Sequence, residues 1–210
     1  MATIGNEVVD IVLPSGVSAD EVAITTAPDG TNQIETKTAV SSLEITAKAG
    51  TTDISGAKLS KSEVAATPAK GETATVVVES TVFKGNTITN EGKGSLSVDV
   101  AAGSFKKSGI EGGKAADSVS FGASASIKSA TVELGKGNDS ITFAKGVKVK
   151  GNTTLDLGKG GKDVVTFESA SVARKVTITN ITSKDKFIVG DDTYKGNAVN
   201  NGADVPFKVG

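Results

Sequence analysis

Four aspartates recur at nearly constant spacing in the second half of the chain, and their carboxylates are the groups best placed to do chemistry. Asp117, Asp139, Asp163 and Asp185 follow one another at intervals of 22, 24 and 22 residues. If successive copies stack, the carboxylates form a column whose charges repel one another. Either Ca²⁺, which prefers oxygen ligands, or interleaved ammonium groups can relieve that repulsion. The pattern therefore raises two alternatives, a metal site and a purely structural turn.

A lysine accompanies each aspartate in the sequence. The pairs are Lys114 with Asp117, Lys136 with Asp139, Lys162 with Asp163, and Lys184 with Asp185. Because these lysines can supply the ammonium groups, we favour the structural turn, in which glycine provides positive φ and aspartate accepts turn N–H groups. The calcium alternative names Asp139 as the best candidate ligand, with Asp163 and Asp117 as further candidates.

The remaining composition excludes many kinds of chemistry. The 210 residues include no His, no Cys and no Trp, and only 4% are aromatic. Zinc sites, disulfides and nucleophiles activated by histidine are therefore excluded. The sequence predicts no enzyme activity, no catalytic residue and no cofactor other than calcium in that alternative. The formal net charge of −1 predicts no nucleic-acid or membrane partner, and we interpret Lys145, Lys148 and Lys150 as a solvated strand edge.

The elements that must position the aspartates repeat with them. Each aspartate begins a short alternating run, and the first three follow a turn rich in glycine and lysine. The runs supply two apolar columns, and two more columns keep the same period. The four columns are Val119, Ile141, Val165 and Phe187; Phe121, Phe143, Phe167 and Val189; Phe105, Ile127, Val149 and Val172; and Ile110, Val132, Leu155 and Ile178. An earlier copy aligns Leu96 and Val98 with a slip of one residue.

Short strands at a period of 22–24 residues predict an all-β chain folded as a right-handed parallel β-helix, or β-solenoid, of about four rungs. We expect the apolar columns to point inward, with Ser120, Thr142 and Thr166 outward. Each rung buries its faces only against its neighbours, so both ends need caps.

One glycine-aspartate turn resembles the calcium-binding nonapeptide of the RTX family. Gly135, Gly137, Asp139 and Ile141 match the pattern G-G-x-G-x-D-x-apolar-x, and the turns before Asp117 and Asp163 match it less fully. The resemblance implies a β-roll-like turn with calcium held between stacked turns on aspartate carboxylates and backbone carbonyls. This chain departs from the family because its turns recur once per 22–24 residues rather than in tandem.

Composition changes near residue 90. Residues 1–90 carry 6 lysines against 11 acidic residues, whereas residues 91–210 carry 17 basic against 13 acidic residues. We predict an N-terminal β-rich anchoring or assembly region (1–90), a solenoid (91–190) and a C-terminal cap (191–210). The alternative is one continuous β domain. Residues 56–66 are interpreted as a turn or one short helix, and the first residues indicate no Sec-type signal peptide.

These features together favour a structural protein of a virion, such as a phage head decoration, fibre or other appendage subunit. The expected partners are other virion subunits and further copies of the chain as a homo-oligomer. The alternative is a secreted RTX-like or S-layer-like surface protein ordered by calcium, at the cell surface or outside the cell. A spike that binds or cleaves glycans is a third, weaker hypothesis.

Overall fold

Strands dominate the protein, as its abundance of Val, Ile and Thr predicts. The computed structural model describes residues 2–5, 9–79 and 82–210, with the backbone alone described for 2–5. Residues 1 and 6–8, which belong to the segment that indicated no signal peptide, lie outside the described residues. Strands make up 55% and helices 6% of the chain, which confirms the all-β class.

The strands are β1 (Ala2–Gly5), β2 (Val9–Leu13), β3 (Val22–Thr26), β4 (Asn32–Ser41), β5 (Glu44–Ala47), β6 (Gly50–Ser60), β7 (Glu63–Ala66), β8 (Thr73–Val78), β9 (Val82–Lys84), β10 (Thr87–Asn90), β11 (Ser95–Lys106), β12 (Gly109–Glu111), β13 (Ser118–Lys128), β14 (Thr131–Glu133), β15 (Ser140–Phe143), β16 (Lys148–Lys150), β17 (Thr153–Asp156), β18 (Val164–Phe167), β19 (Val176–Thr179), β20 (Lys186–Val189), β21 (Asp192–Lys195) and β22 (Lys208–Val209). A 3₁₀ turn (Ala19–Glu21), α1 (Ala170–Ala173) and α2 (Gly196–Asn200) are the helical elements among the described residues.

The strands form two sheets that wind together as a parallel β-solenoid of about seven turns. One sheet has ten strands in the order β1-β2-β5-β7-β10-β12-β14-β17-β19-β22. The other has twelve, running from β21 and β20 through β18, β15, β13, β11, β8, β6 and β4 to β3, with β9 and β16 paired beside this path. Antiparallel pairs join the strands near the two ends of the solenoid.

The predicted inner columns are confirmed in register. Val119 pairs with Ile141, Ile141 with Val165, and Val165 with Phe187. The column that begins at Ile110 continues in the same way, through Val132 and Leu155 to Ile178. The outward residues Ser120, Thr142 and Thr166 are half-buried and alternate with these core positions.

The prediction of about four rungs is too low, because the parallel ladders already run through the first half of the chain. Ile45 pairs with Val64, Val64 with Ile88, and Ile88 with Ile110. The rung from Leu43 to Ser62 has 19 residues and the next one has 24. These early rungs vary in length and lack the glycine-lysine-aspartate turn, so the period that marks the later rungs does not reveal them.

The alignment predicted for the earliest copy of the repeat, at Leu96 and Val98, is out of register by two residues. Val98 pairs with Val119, and Val100 pairs with Phe121. Leu96 therefore occupies the position that aspartate takes in the later rungs.

Two other sequence predictions are also wrong. Residues 56–66, interpreted as a turn or short helix, lie in strands β6 and β7 except for Lys61 and Ser62, which form the corner between them. Gly56 allows β6 to bend, since it has a φ of 112° and a Cβ there would overlap the carbonyl oxygen of Thr36. Val172, expected in a strand, lies in α1, although its side chain is buried in the core.

All seven phenylalanines form one continuous row of ring contacts along the later rungs, which we call the phenylalanine stack, although the rings of Phe105 and Phe121 meet edge to face. Ring centroids of successive partners lie 4.9 to 6.3 Å apart, in the order Phe83, Phe105, Phe121, Phe143, Phe167, Phe207 and Phe187. Every member is buried. Phe207 contacts both Phe167 and Phe187, so the C-terminal segment closes the stack at the last rung.

Candidate functional site

The four repeated aspartates form one buried column, which we call the aspartate ladder. Asp117, Asp139, Asp163 and Asp185 directly precede strands β13, β15, β18 and β20, whose parallel pairing places them in successive rungs. None of the four is more than 3% exposed. The regular strands thus bring together four carboxylates that are far apart in sequence.

Each carboxylate accepts a backbone N–H from the rung before it. The N–H of Asp117 donates to Oδ1 of Asp139 at 2.7 Å, and the N–H of Asp139 donates to Oδ1 of Asp163 at 2.9 Å. The N–H of Asp163 donates to Oδ1 of Asp185 at 3.1 Å. The N–H of Leu96 begins the series by donating to Oδ1 of Asp117 at 2.6 Å. The ladder therefore satisfies N–H groups that the corner of each rung would otherwise bury without a partner.

The two ends of the ladder are fully hydrogen-bonded. Oδ2 of Asp117 accepts the N–H of Gly113 at 2.6 Å, and its Oδ1 also accepts Nδ2 of Asn90 at 3.0 Å. Oδ2 of Asp185 accepts the N–H of Thr182 at 2.6 Å. At these positions aspartate accepts turn N–H groups, as the structural alternative predicted.

The two middle aspartates differ, since Oδ2 of Asp139 and Oδ2 of Asp163 are buried without a hydrogen-bond partner. Burial raises the pKa of Asp139 to about 7; the N–H of Asp117 opposes this, and the charges of Asp163 and Asp117 add to it. Burial likewise raises the pKa of Asp163 to about 6, with the N–H of Asp139 opposing and the charge of Asp185 adding. A proton bound at Asp139 lowers the charge of the column near neutral pH.

Glycine is required where the turn passes against the ladder. Gly137 has a φ of 142°, and a Cβ there would overlap the carbonyl oxygen of Ala115 and lie 2.7 Å from Oδ1 of Asp139. The glycine pattern that resembles the RTX turn therefore has a steric reason in this fold that is independent of any metal.

The lysines that accompany the aspartates do not interleave with them. The side chains of Lys114, Lys136, Lys162 and Lys184 are exposed, whereas the carboxylates are buried. Among the described residues, the ion pair found within 4.0 Å joins Lys48 and Asp10. The expectation that ammonium groups relieve the repulsion is therefore wrong, because a long charged side chain keeps its head in water while the ladder stays inside.

A mixed-charge cleft runs outside the ladder along the glycine-lysine turns. It encloses about 360 Å³ and is lined by Lys114, Lys136 and Lys159 together with the carboxylates of Glu133 and Asp156. The lysines that line this cleft therefore lie near acidic side chains.

The ladder offers few oxygens to a metal ion. Ca²⁺ takes six to eight oxygen ligands, while Oδ1 of Asp117, Asp139 and Asp163 is already occupied by N–H donors. The unpartnered side-chain oxygens are one each from Asp139 and Asp163. Within residues 9–79 and 82–210, no three acidic side chains gather in a way that could hold a metal. The donor set fits a proton better than it fits Ca²⁺.

A second buried polar column was missed by the sequence analysis. The N–H of Leu43 donates to Oγ of Ser62, the N–H of Ser62 donates to Oδ1 of Asn86, and the N–H of Asn86 donates to Oγ of Ser108. Nδ2 of Asn86 also donates to the carbonyl of Leu59 at 2.9 Å. One signal in the sequence could have revealed this column. A short polar residue follows each of the apolar residues Leu59, Phe83 and Phe105 after three positions.

No helix in the described part of the chain is long and apolar enough to cross a membrane. No known family, curated protein or solved structure matches the chain. The likeness to the RTX turn therefore remains a resemblance of short motifs, and a functional conclusion must come from the geometry.

Proposed function

We propose that this chain is a non-catalytic structural protein and serves as a β-solenoid subunit of a virion, such as a phage head decoration, fibre or other appendage. The observation that supports this most is the phenylalanine stack, which follows the solenoid from Phe83 to its last rung. A close-packed core has low compressibility, and each pair of contacting rings adds about 0.5–1.5 kcal/mol of stability. A chain built in this way is suited to holding a fixed length between its partners.

The surface chemistry supports the same role. Exposed and half-buried positions are largely Ser, Thr, Lys and Gly, and the chain has no His, Cys or Trp. Residues 1–90 carry a net charge of −5 and residues 91–210 carry +4, from 6 − 11 and 17 − 13. Opposite charge at the two ends of a rod favours contacts between unlike ends of neighbouring subunits. An anchoring role for residues 1–90 belongs to this proposal.

The direct test is to quantify the protein in purified particles from its source. We expect it to co-purify through a density gradient at many copies per particle, and to be released as discrete oligomers when particles are dissociated. Recovery of the protein only in the particle-free fraction would contradict the proposal. Sedimentation of the purified chain, compared with and without dissociated particle proteins, measures its self-association separately.

A second candidate function is a secreted RTX-like or S-layer-like surface protein, and the unpartnered oxygens of Asp139 and Asp163 favour testing it. Thermal melts at pH 8 with millimolar Ca²⁺ and with Mg²⁺ as the control ion separate the two functions. A rise in Tm specific to Ca²⁺, lost in Asp139→Asn, would support calcium binding and count against the virion proposal. Indifference to Ca²⁺ is the result expected of a ladder that depends on protons.

A further inference from the structure

One corner of the solenoid carries a row of lysines in direct register. Lys84 pairs with Lys106, Lys106 with Lys128, and Lys128 with Lys150, where strands β9, β11, β13 and β16 end. Neighbouring strands lie about 4.8 Å apart, so four ammonium side chains start from backbone positions at that spacing. We call these four residues the lysine ladder.

The corner position beside the ladder has a left-handed backbone in successive rungs, and lysine occupies it in two of them. Lys61 and Lys107 hold this position with φ of 52° and 51°, and the equivalent position in other rungs is held by Ser42 and Ser129 or by Gly85 and Gly151. A non-glycine residue in this conformation costs about 1 kcal/mol. The strain belongs to the corner itself, since serine bears it too, and the two lysines place two further ammonium groups beside the ladder.

These corners open into a cleft that is lined by basic and neutral residues. It encloses about 310 Å³, and its charged lining consists of Lys58, Lys61, Lys84 and Lys107, with no carboxylate. None of these lysines makes an ion pair with a described residue. Like charges directly opposite on neighbouring strands destabilise a sheet, so the corner concentrates positive charge that the fold itself leaves uncompensated.

We propose that the lysine ladder and its cleft bind a linear acidic polysaccharide that carries one carboxylate per sugar. Such a chain carries one negative charge per sugar ring, and the length of a ring is comparable to the distance between rungs. Successive carboxylates point to different sides of the chain. Because the lysine stems are long and flexible, one ammonium group can reach one carboxylate at each rung on either side of the chain, while the stems and small corner residues pack against the sugars. The ligand removes the repulsion that the free ladder carries.

A nucleic acid fits this corner less well. Proteins that bind single strands place aromatic side chains under the bases, but all seven phenylalanines lie in the core. The single tyrosine, Tyr194, belongs to β21 at the end of the solenoid. Because the ladder is one straight row, it can touch only one strand of a duplex.

The test measures binding of fluorescent oligogalacturonates, from dimer to octamer, to the full chain by anisotropy at low ionic strength. Affinity should rise with oligomer length until the ladder is filled, and it should vanish in about 1 M salt, where the Debye length is about 3 Å. The double variant Lys106→Gln/Lys128→Gln should bind about tenfold more weakly. Its Tm should not fall, because the substitution relieves repulsion within the ladder.

The matched control is Lys136→Gln/Lys159→Gln. These lysines also stack in neighbouring rungs, since the N–H of Lys136 bonds to Gly113 and that of Lys159 to Gly135, but they lie beside Glu133. The control should bind the octamer as the unmodified protein does. Three results would overturn the proposal: no binding at low salt, an equal loss in the control, or tighter binding of a single-stranded oligonucleotide of the same charge. None of them depends on whether the chain belongs to a particle.

Discussion

Replacing Asp139 by asparagine should stabilise the protein in alkaline solution although it alters a buried, hydrogen-bonded side chain. Below the ordinary pKa of 3.8 the carboxyl is protonated in both the folded and unfolded chains. Between pH 3.8 and about 7 the unfolded chain loses this proton while the folded chain keeps it, so the free energy of unfolding falls as pH rises. Above pH 7 the folded protein holds an ionised carboxylate whose Oδ2 has no partner.

The size of the effect follows from the same pKa. A rise from 3.8 to about 7 corresponds to about 4 kcal/mol of destabilisation once both states are ionised. Asparagine keeps an oxygen that can accept the N–H of Asp117, although a neutral acceptor is weaker by about 1 kcal/mol. At pH 8.5 we therefore expect Asp139→Asn to be more stable than the unmodified protein by about 2–4 kcal/mol. At pH 4 we expect it to be equal or slightly less stable.

Urea denaturation followed by circular dichroism measures both differences, and an unchanged m-value shows that the unfolding reaction is the same. Asp117→Asn is the matched control. Both oxygens of Asp117 accept N–H groups, so an amide there turns one acceptor into a donor facing a donor. The control should lose stability at both pH values. If Asp139→Asn is also destabilised at pH 8.5, or if the stability of the unmodified protein does not fall between pH 4 and 7, the proton-holding ladder is refuted.

Three further substitutions test the core. Phe143→Ala removes a ring from the middle of the stack and should cost about 3–5 kcal/mol, while the outward-facing neighbour change Thr142→Ala should cost about 0.5 kcal/mol or less; similar urea midpoints for the two would contradict the stack. Val149→Asp places a charge in an inner column and should unfold the rungs packed against it at pH 7, so an unaltered thermal melt would show that Val149 is not inside. Asn86→Ala leaves the N–H of Ser62 and the carbonyl of Leu59 without partners and should cost about 1–3 kcal/mol, with faster amide exchange at Ser62 as the specific readout.

The later rungs could be predicted from sequence because several signals repeat there with one period. Asp139, Ile141 and Phe143 recur in the next rung as Asp163, Val165 and Phe167, so an aspartate, a β-branched residue and an aromatic agree on the same register. A ladder of identical side chains is visible in sequence because stacking favours like residues at like positions. The lysine ladder also keeps one period, since its members are 22 residues apart throughout, although stacking of like charges opposes this arrangement.

The early rungs could not be predicted in this way because their equivalent residues share only their apolar or polar character, without a constant spacing. Ile45, Val64 and Ile88 share a column, but their spacings differ and no glycine-lysine turn marks them. Rung length can vary because the corners, unlike the strands, need not match residue for residue. The burial of the aspartates also escaped prediction, since a carboxylate beside a lysine in sequence indicates an exposed ion pair, whereas the buried N–H groups that select aspartate become apparent only when the rungs are stacked.

The two buried polar columns have a common physical origin. Where a rung turns a corner, its backbone leaves the sheet, and an N–H that would pair with the next strand faces a side chain instead. Asn86 and Asp139 each place a side-chain oxygen from the following rung at that point. An amide or hydroxyl does this without charge, but a carboxylate makes the corner sensitive to pH. The lysine ladder lies beside the corners that hold Asn86, and there the unpaired positive charge is on the outside of the solenoid. The inner apolar columns thus carry no charge, and the buried carboxylates and the stacked lysines lie at the corners of the solenoid.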